Sequence, residues 1–283
     1  MKKFIPIIVL ILAFFIACEE DFVGLALLDG VGAELEYDDS GATRRLKVAA
    51  VCMECSQDAD SNFARMIGFI ERIITDHPDV RLIVFGETVL GWYYKPDEPE
   101  AYQRRIAQTV PGPVTDSVAV LTQAYDIFVV FGLSEIRGEE LYNTQVLINP
   151  EGEIEAQHSK RYLISWDRES GYTPGEGYVV TEIDSLKAGI IICADLHSKY
   201  LSESIAGEDI DILIHSLADM GGVGPEIDVI ARRFDAWVVF ANRYGQEADY
   251  FYQGRIFISD PAGTFRAESM DESGYVFYDL GVY

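Results

Sequence analysis

The amino-acid sequence predicts an α/β domain built in layers, and two observations carry that expectation. Apolar runs of strand length alternate along the chain with stretches whose apolar residues recur at helical spacing, the pattern of layered α/β folds. Some strand runs, such as Leu82-Ile-Val-Phe85 and Ala188-Gly-Ile-Ile-Ile192, are apolar at nearly every position, which suits parallel strands covered on both faces. With 283 residues, 49% of them hydrophobic and 24% charged, the chain buries a sizeable core. No internal repeat or low-complexity tract is evident.

The elements follow in order. Met1-Lys-Lys3 and the apolar run Phe4 to Ala17 form a positive head and a hydrophobic core. A run of about 14 residues falls short of the about 20 that span a bilayer, so residues 1–17 read as a secretory signal. Phe15-Ile-Ala17-Cys18 resembles the lipobox of bacterial lipoproteins, with phenylalanine where leucine is more usual. That resemblance implies cleavage before Cys18, lipidation of Cys18 and attachment to a membrane through acyl chains. The alternative is an uncleaved signal-anchor helix. Both place the domain outside the cytoplasm, on the periplasmic or cell-surface side of a bacterial membrane. Residues 18–45, acidic at first and then carrying Gly24, Gly30, Gly32 and Gly41, read as a tether with partial order at most, and the folded domain is expected over residues 46–283.

Within that domain, Phe63, Met66, Ile67, Ile70, Ile73 and Ile74 share one helical face behind a capping Asp60 or Ser61. A strand over Leu82 to Phe85 follows and leads to Glu87. Helix-like Val114 to Tyr125 precedes strand Ile127 to Gly132. A hairpin-like stretch from Gln145 to Gln157 leads into His158-Ser-Lys160. Helix-like Glu226 to Asp235 precedes strand Trp237 to Ala241, and Asp260-Pro-Ala-Gly263 reads as a turn between late strands. Gly221-Gly-Val-Gly224, after the strand Asp211 to His215, lacks the lysine and the spacing of a phosphate loop and reads as an active-site rim.

Charge and cysteine usage exclude several classes. The formal net charge is −25, and loss of residues 1–17 removes Lys2 and Lys3 and no acid, giving −27. Such a surface repels nucleic acid and anionic lipid heads. Cys52 and Cys55 form a C-x-x-C pair, but on a continuing strand residues three apart point to opposite faces, so they read as independent thiols. His77, His158, His197 and His215 show no metal-ligand spacing, and neither metal nor cofactor is expected.

Two strand ends and a hairpin-like stretch supply a chemical set. Cys193 closes the apolar run Ala188 to Ile192, where a parallel strand meets a polar turn and a substrate can reach the sheet edge. A helix beginning in the Asp195 to Ser198 stretch would favour its thiolate. A thiol nucleophile at Cys193, a carboxylate base at Glu87 and a cation at Lys160 form a coherent set for acyl chemistry. Each residue taken alone has a plainer reading, as a buried thiol or a solvated charge.

At these residues the chain resembles the nitrilase, or carbon–nitrogen hydrolase, superfamily, from about Leu46 to about Glu268. The blocks that carry the resemblance occur in the family's order: Phe85-Gly-Glu87; Gly132-Leu-Ser-Glu135 and Tyr142-Asn143-Thr; Lys160 and Leu163; Arg168-Glu169-Ser170-Gly-Tyr172-Thr-Pro174-Gly175; Cys193-Ala-Asp195-Leu196; Ala241-Asn242-Arg243-Tyr-Gly245; Gly254; and Asp260-Pro-Ala-Gly263. It implies a four-layer α-β-β-α sandwich, often doubled by association of protomers into a homodimer or higher homo-oligomer. It also implies Cys193 as nucleophile, Glu87 as general base and Lys160 as oxyanion partner. Glu169 matches the second glutamate that such enzymes place beside the triad, to orient the lysine or the substrate.

The expected activity is hydrolysis of a non-peptide amide through a thioester on Cys193, without cofactor. Two alternatives stay open: an N-acyltransferase using the same thioester, and a catalytically silent binding or assembly module on the same fold. The chain departs from the family beside the nucleophile, with Ala194 where an aromatic residue is usual and His197-Ser-Lys-Tyr200 in place of an Arg-Phe-Pro-Glu type stretch. Trp92, Tyr93 and Tyr94, just after Glu87, together with Ala194, are candidates to line the substrate pocket. The three aromatics read equally as core or dimer-interface residues.

Overall fold

The computed structural model describes residues 36–94, 96–218, 227–270 and 272–283. In chain order the elements are β1 (Arg44–Glu54), α1 (Ala59–Asp76), β2 (Leu82–Val84), α2 (Pro99–Ile106), α3 (Pro113–Tyr125), β3 (Phe128–Arg137), β4 (Glu140–Ile148), β5 (Ile154–Ser159) and α4 (Ser165–Glu169). There follow β6 (Val179–Ile183), β7 (Leu186–Ile192), a 3-10 turn (Cys193–His197), α5 (Lys199–Ala206), β8 (Ile212–Ser216), α6 (Ile227–Phe234), β9 (Trp237–Glu247), β10 (Tyr250–Gln253), β11 (Ile256–Ser259), β12 (Phe265–Ser269) and β13 (Gly274–Val282). The signal segment, Cys18, most of the tether and Gly221 to Gly224 lie outside the described residues.

The strands run in the order β5-β4-β3-β2-β1-β9-β8-β7-β6. β9 hands the order from one sheet to the other: Trp237 to Ala241 pair with β8, and Asn242 to Tyr244 pair with Cys52 to Glu54 of β1. The central pairings, β1 with β2, β2 with β3, β7 with β8 and β8 with β9, are parallel. Their carboxyl ends therefore point the same way within each sheet, which gathers the strand-end residues at one edge.

The alternation of side chains along the strands builds the layers. Val48, Ala50, Val84 and Val130 from one sheet pack against Ala188, Ile190, Ile212, Ile214 and Val239 from the other. On the far face of the first sheet, Ala49, Val51, Ile83, Phe85 and Val129 meet Met66, Ile70 and Ile73 of α1 and Val118 of α3. On the far face of the second, Ile191, Leu213, Val238 and Phe240 meet Ile205 of α5 and Ile230 and Phe234 of α6. These three cores separate four layers in the order α-β-β-α, the expected sandwich. Cys52 lies in the inter-sheet core and Cys55 in the helix-side core, on opposite faces as their spacing predicts.

Local differences from the sequence reading have simple causes. The Asp58 carboxylate caps α1 by accepting from the Ser61 N–H at 2.8 Å, so the helix opens just before the expected Asp60 or Ser61. β1 opens at Arg44, two residues before the expected domain start. Tyr37 is already docked: its hydroxyl donates to the Gly281 carbonyl at 2.9 Å and its ring meets Trp237 edge-on. Beyond Cys193 the chain forms a 3-10 turn, and the α-helix starts only at Lys199 behind a Ser198 cap, which leaves less helix-dipole support for a thiolate than expected.

Candidate active site

Glu87 lies three residues past β2, and a glycine brings it there. A Cβ on Gly86 would sit 2.9 Å from the carbonyl oxygens of both Asn242 and Leu217, so only glycine lets this loop pass between the end of β8 and the middle of β9. The Glu87 N–H then donates to the Leu217 carbonyl at 3.2 Å. Lys160 follows β5, with its N–H on the Asn143 carbonyl at 2.8 Å and its own carbonyl accepting from the Gly175 N–H at 2.9 Å.

These backbone contacts converge five side chains. Lys160 Nζ lies 2.8 Å from Glu87 Oε1, 2.8 Å from Asp167 Oδ2 and 3.1 Å from the Tyr93 hydroxyl. Asn143 Nδ2 donates to Glu87 Oε1 at 2.6 Å, and the Tyr93 hydroxyl donates to Asp167 Oδ1 at 2.9 Å. The Ala218 N–H donates to Glu87 Oε2 at 2.9 Å. All five side chains are buried, so every contact acts at low dielectric, where an unpaired charge is costly.

Burial opposes the charge on Lys160, but the carboxylates of Asp167 and Glu87 outweigh it and hold the ammonium charged well above the usual lysine range. Burial raises the Glu87 pKa above that of a free glutamate, with Lys160 opposing the shift and Asp167 adding to it. A carboxylate shifted towards neutrality is suited to accept and return a proton. Lys160 and Tyr93 both respond to charge on Cys193, which places the thiol within electrostatic reach of the cluster.

Cys193 has a φ of 46°, the left-handed region that a residue with a Cβ rarely adopts and that costs of order 1 kcal/mol. It is half-buried, unlike the charged cluster. Asp195, fully buried, braces the turn. Its Oδ1 accepts from the N–H groups of Arg161 at 2.9 Å and Tyr162 at 2.8 Å, and its Oδ2 meets the Ile192 N–H at 3.1 Å and His158 Nε2 at 2.8 Å. One carboxylate thus ties the segment after Lys160 to the turn that carries the thiol.

The structure brings Glu87 and Lys160 into contact, with Cys193 within electrostatic reach of Lys160, but Glu169 does not join them. It is exposed at the end of α4, beside Glu98, Glu100 and Arg104 of α2 and its approach. Asp167, two residues earlier, occupies the position beside Lys160, because it sits in the first turn of α4 and also accepts from the Ile164 N–H at 3.0 Å. Tyr93 belongs to the hydrogen-bonded cluster itself rather than to a pocket wall. Trp92 is half-buried and turned elsewhere, its indole N–H donating to the Cys55 carbonyl at 3.2 Å and its carbonyl accepting from Gln103 at 2.8 Å. Ala194 is buried behind the thiol in the 3-10 turn. Tyr94 joins Tyr93, Ala218 and Tyr252 in a small aromatic core, with Trp166 and Tyr250 packed against it.

A second buried pair supports the first. The Arg243 guanidinium donates to the carbonyls of Glu87 at 3.1 Å and Thr88 at 3.0 Å and pairs with Glu247. Glu247 Oε2 accepts from the N–H groups of Tyr93 and Tyr94, each at 2.8 Å. The Asn242-Arg243 block marked this region in the sequence, but its target depended on where β9 crosses the Glu87 loop. Among the described residues, no group of three or more His, Cys, Asp or Glu side chains is placed to hold a metal.

A thiol on a strained strand-end turn, within electrostatic reach of a buried acid-lysine-acid cluster in a four-layer sandwich, defines a hydrolase of the nitrilase type. The family model described as carbon-nitrogen hydrolase matches residues 47–280, and the chain belongs to that family, whose members cleave carbon–nitrogen bonds other than peptide bonds. It is similar to an (R)-stereoselective amidase of Pseudomonas sp., 27% identical over 205 residues covering 71% of this chain and 73% of that protein. It is also similar to the omega-amidase NIT3 of Saccharomyces cerevisiae, 24% identical over 256 residues covering 84% and 88%. The crystal structure of that yeast Nit3 shares the fold with a TM-score of 0.75 at 23% identity, covering 85% and 91% of the two chains. An amidase from Nesterenkonia sp. shares it with a TM-score of 0.74 at 18% identity, covering 89% and 94%.

Proposed function

We propose that this protein is an exported, lipid-anchored amidase that cleaves a small-molecule amide through a thioester on Cys193. The observation that carries the reading is the fully buried contact of Lys160 with both Glu87 and Asp167, beside the turn that presents the thiol. Glu87 takes the thiol proton and Cys193 Sγ bonds to the amide carbon. Lys160 and the Ala194 N–H hold the resulting oxyanion. The oxyanion then collapses, the carbon–nitrogen bond breaks, and Glu87 returns its proton to the leaving amine. Water, deprotonated by Glu87, attacks the thioester; the carbon–sulfur bond breaks, the acid leaves and the proton returns to the thiolate. Asp167 keeps Lys160 charged and oriented throughout. Export and anchoring rest on the Met1 to Ala17 segment and the Phe15-Ile-Ala17-Cys18 sequence.

Ammonia release from a panel of primary amides tests the chemistry. The full chain is expected to turn over at least one amide, and Cys193→Ala none. Equal inertness of both proteins, with a ligand bound equally by each, would replace the amidase with a silent binding module. Mass spectrometry of the mature amino terminus tests the anchor: a diacylglyceryl-modified Cys18 is expected, and an intact Met1 contradicts it.

A further inference from the structure

We infer that His215 is a positioning residue for the nucleophile, holding Cys193 in its left-handed conformation by donating Nε2–H to the Cys193 carbonyl. The inference rests on the reading of Cys193 as the reacting thiol. His215 sits near the end of β8, paired in register with Ile191 of β7, two residues before Cys193. Its Nε2 lies 3.0 Å from the Cys193 carbonyl oxygen. A carbonyl only accepts, so that nitrogen carries the hydrogen. The ring is buried and stands edge-on to Phe240 at 5.4 Å, which fixes its plane.

The other ring nitrogen makes the assignment specific. Nδ1 is buried and has no hydrogen-bond partner among the described residues, so the hydrogen bond the ring makes there is the one to Cys193. A histidine kept only as core filling would be replaced by an apolar ring without cost, because a buried polar atom left unpaired is unfavourable. Burial also lowers the His215 pKa to about 4, so the ring remains a neutral donor with its hydrogen on Nε2 across the neutral range. With a φ of 46° at Cys193, the carbonyl and Sγ directions are coupled through one Cα, and restraining the carbonyl restrains where the thiol points. Asp195 secures the turn from the side of Lys160, and His215 secures it from β8. The two contacts grip different backbone groups of the same turn.

The test measures the rate of iodoacetamide alkylation of Cys193 in the full chain from pH 5 to 10, with the Cys52 and Cys55 peptides as internal controls. In His215→Phe, which keeps the ring volume and loses the donor, the thiol pKa is expected to rise by about one unit and the rate at pH 7 to fall about tenfold. His215→Gln, whose amide nitrogen reaches the same carbonyl, is expected to recover most of the rate. For an amide substrate, kcat falls by the same factor while KM stays within about twofold. A His215→Phe profile superimposable on wild type, or a folded His215→Gln as slow as His215→Phe, overturns the inference. If His215→Phe does not fold, His215→Gln against His215→Asn decides: the longer amide is expected to be several-fold faster, and equal rates reject the role. Because alkylation needs no substrate, an altered profile without any amide turnover would remove the amidase and keep the positioning role. Turnover with an unaltered profile would do the reverse.

Discussion

The two halves of the site are held by opposite means. The charged half, Glu87, Lys160 and Asp167 with Asn143 and Tyr93, is fully buried and fixed by side chains bonding to one another. The thiol half is one half-buried side chain on a turn fixed through its backbone, by Asp195 on one side and His215 on the other. Buried charges are tolerable only when paired, so their partners also set their geometry. A thiol that is to meet a substrate must stay accessible, and here the backbone of its turn is restrained from both sides. Damage to the first half is therefore expected to change the charge balance directly, and damage to the second to change where the thiol points and, through that, its proton affinity.

Substitutions in the charged half carry the largest effects. Lys160→Met leaves two buried carboxylates without their cation. It is expected to lower kcat/KM by on the order of a thousandfold and stability by about 3–5 kcal/mol, read from turnover and urea unfolding. Asp167→Asn removes one of the two anions that keep Lys160 charged and is expected to lower kcat/KM by on the order of a hundredfold. Glu169→Gln, two residues away and exposed, should stay within about twofold. Equal losses from the two would erase the distinction between buried and solvated acid on which the comparison rests.

A shift in pH dependence is the next effect in size. Burial raises the Glu87 pKa and the Asn143 hydrogen bond opposes that rise, while the proposed mechanism needs the ionised carboxylate. Activity should fall as pH drops through a value above the ordinary glutamate range. Asn143→Leu should move that acid limb upward by roughly half to one pH unit. An unmoved limb would mean that another group sets it.

The thiol half shows its own pH dependence in stability. His215 titrates near 4 in the folded chain and near 6.5 when unfolded, so its neutral form favours folding fully above pH 6.5, and that contribution fades as pH falls towards 4. Wild type should therefore lose about 2 kcal/mol more than His215→Phe between pH 7 and pH 5, measured as the difference in urea midpoints. Asp195, His197 and Lys160 also act on this ring, and the paired comparison cancels changes common to both proteins.

How much of this was legible in the sequence follows the same division. Glu87 and Cys193 each follow an apolar run, and strand ends in layered α/β folds gather at one edge, so they were visible in the sequence; Lys160 follows a hairpin-like stretch and was legible through its place in the order of motif blocks. Asp167 was not. Residues two apart on a helix point about 200° apart, and in the five-residue α4 only the starting register decides whether Asp167 or Glu169 turns inward. Arg243 and Asp195 stood in recognisable blocks, yet their partners are carbonyl and N–H groups of distant loops, which spacing along one chain does not reveal. β13 pairs with β1 along nine positions, beyond the Glu268 limit of the motif blocks, because strand pairing leaves little trace when the partner lies more than two hundred residues away.

The most direct test of the central claim is to trap the acyl-enzyme. An acid quench during turnover of an amide, followed by peptide mass spectrometry, should find the substrate's acyl mass on the Cys193 peptide and none on the peptides of Cys52 and Cys55. Those two thiols are buried, Cys55 with its pKa pushed up to about 11 and Cys52 higher still. An enzyme that releases ammonia while its Cys193 peptide stays unmodified at every quench time, and keeps doing so in Cys193→Ala, would contradict the account.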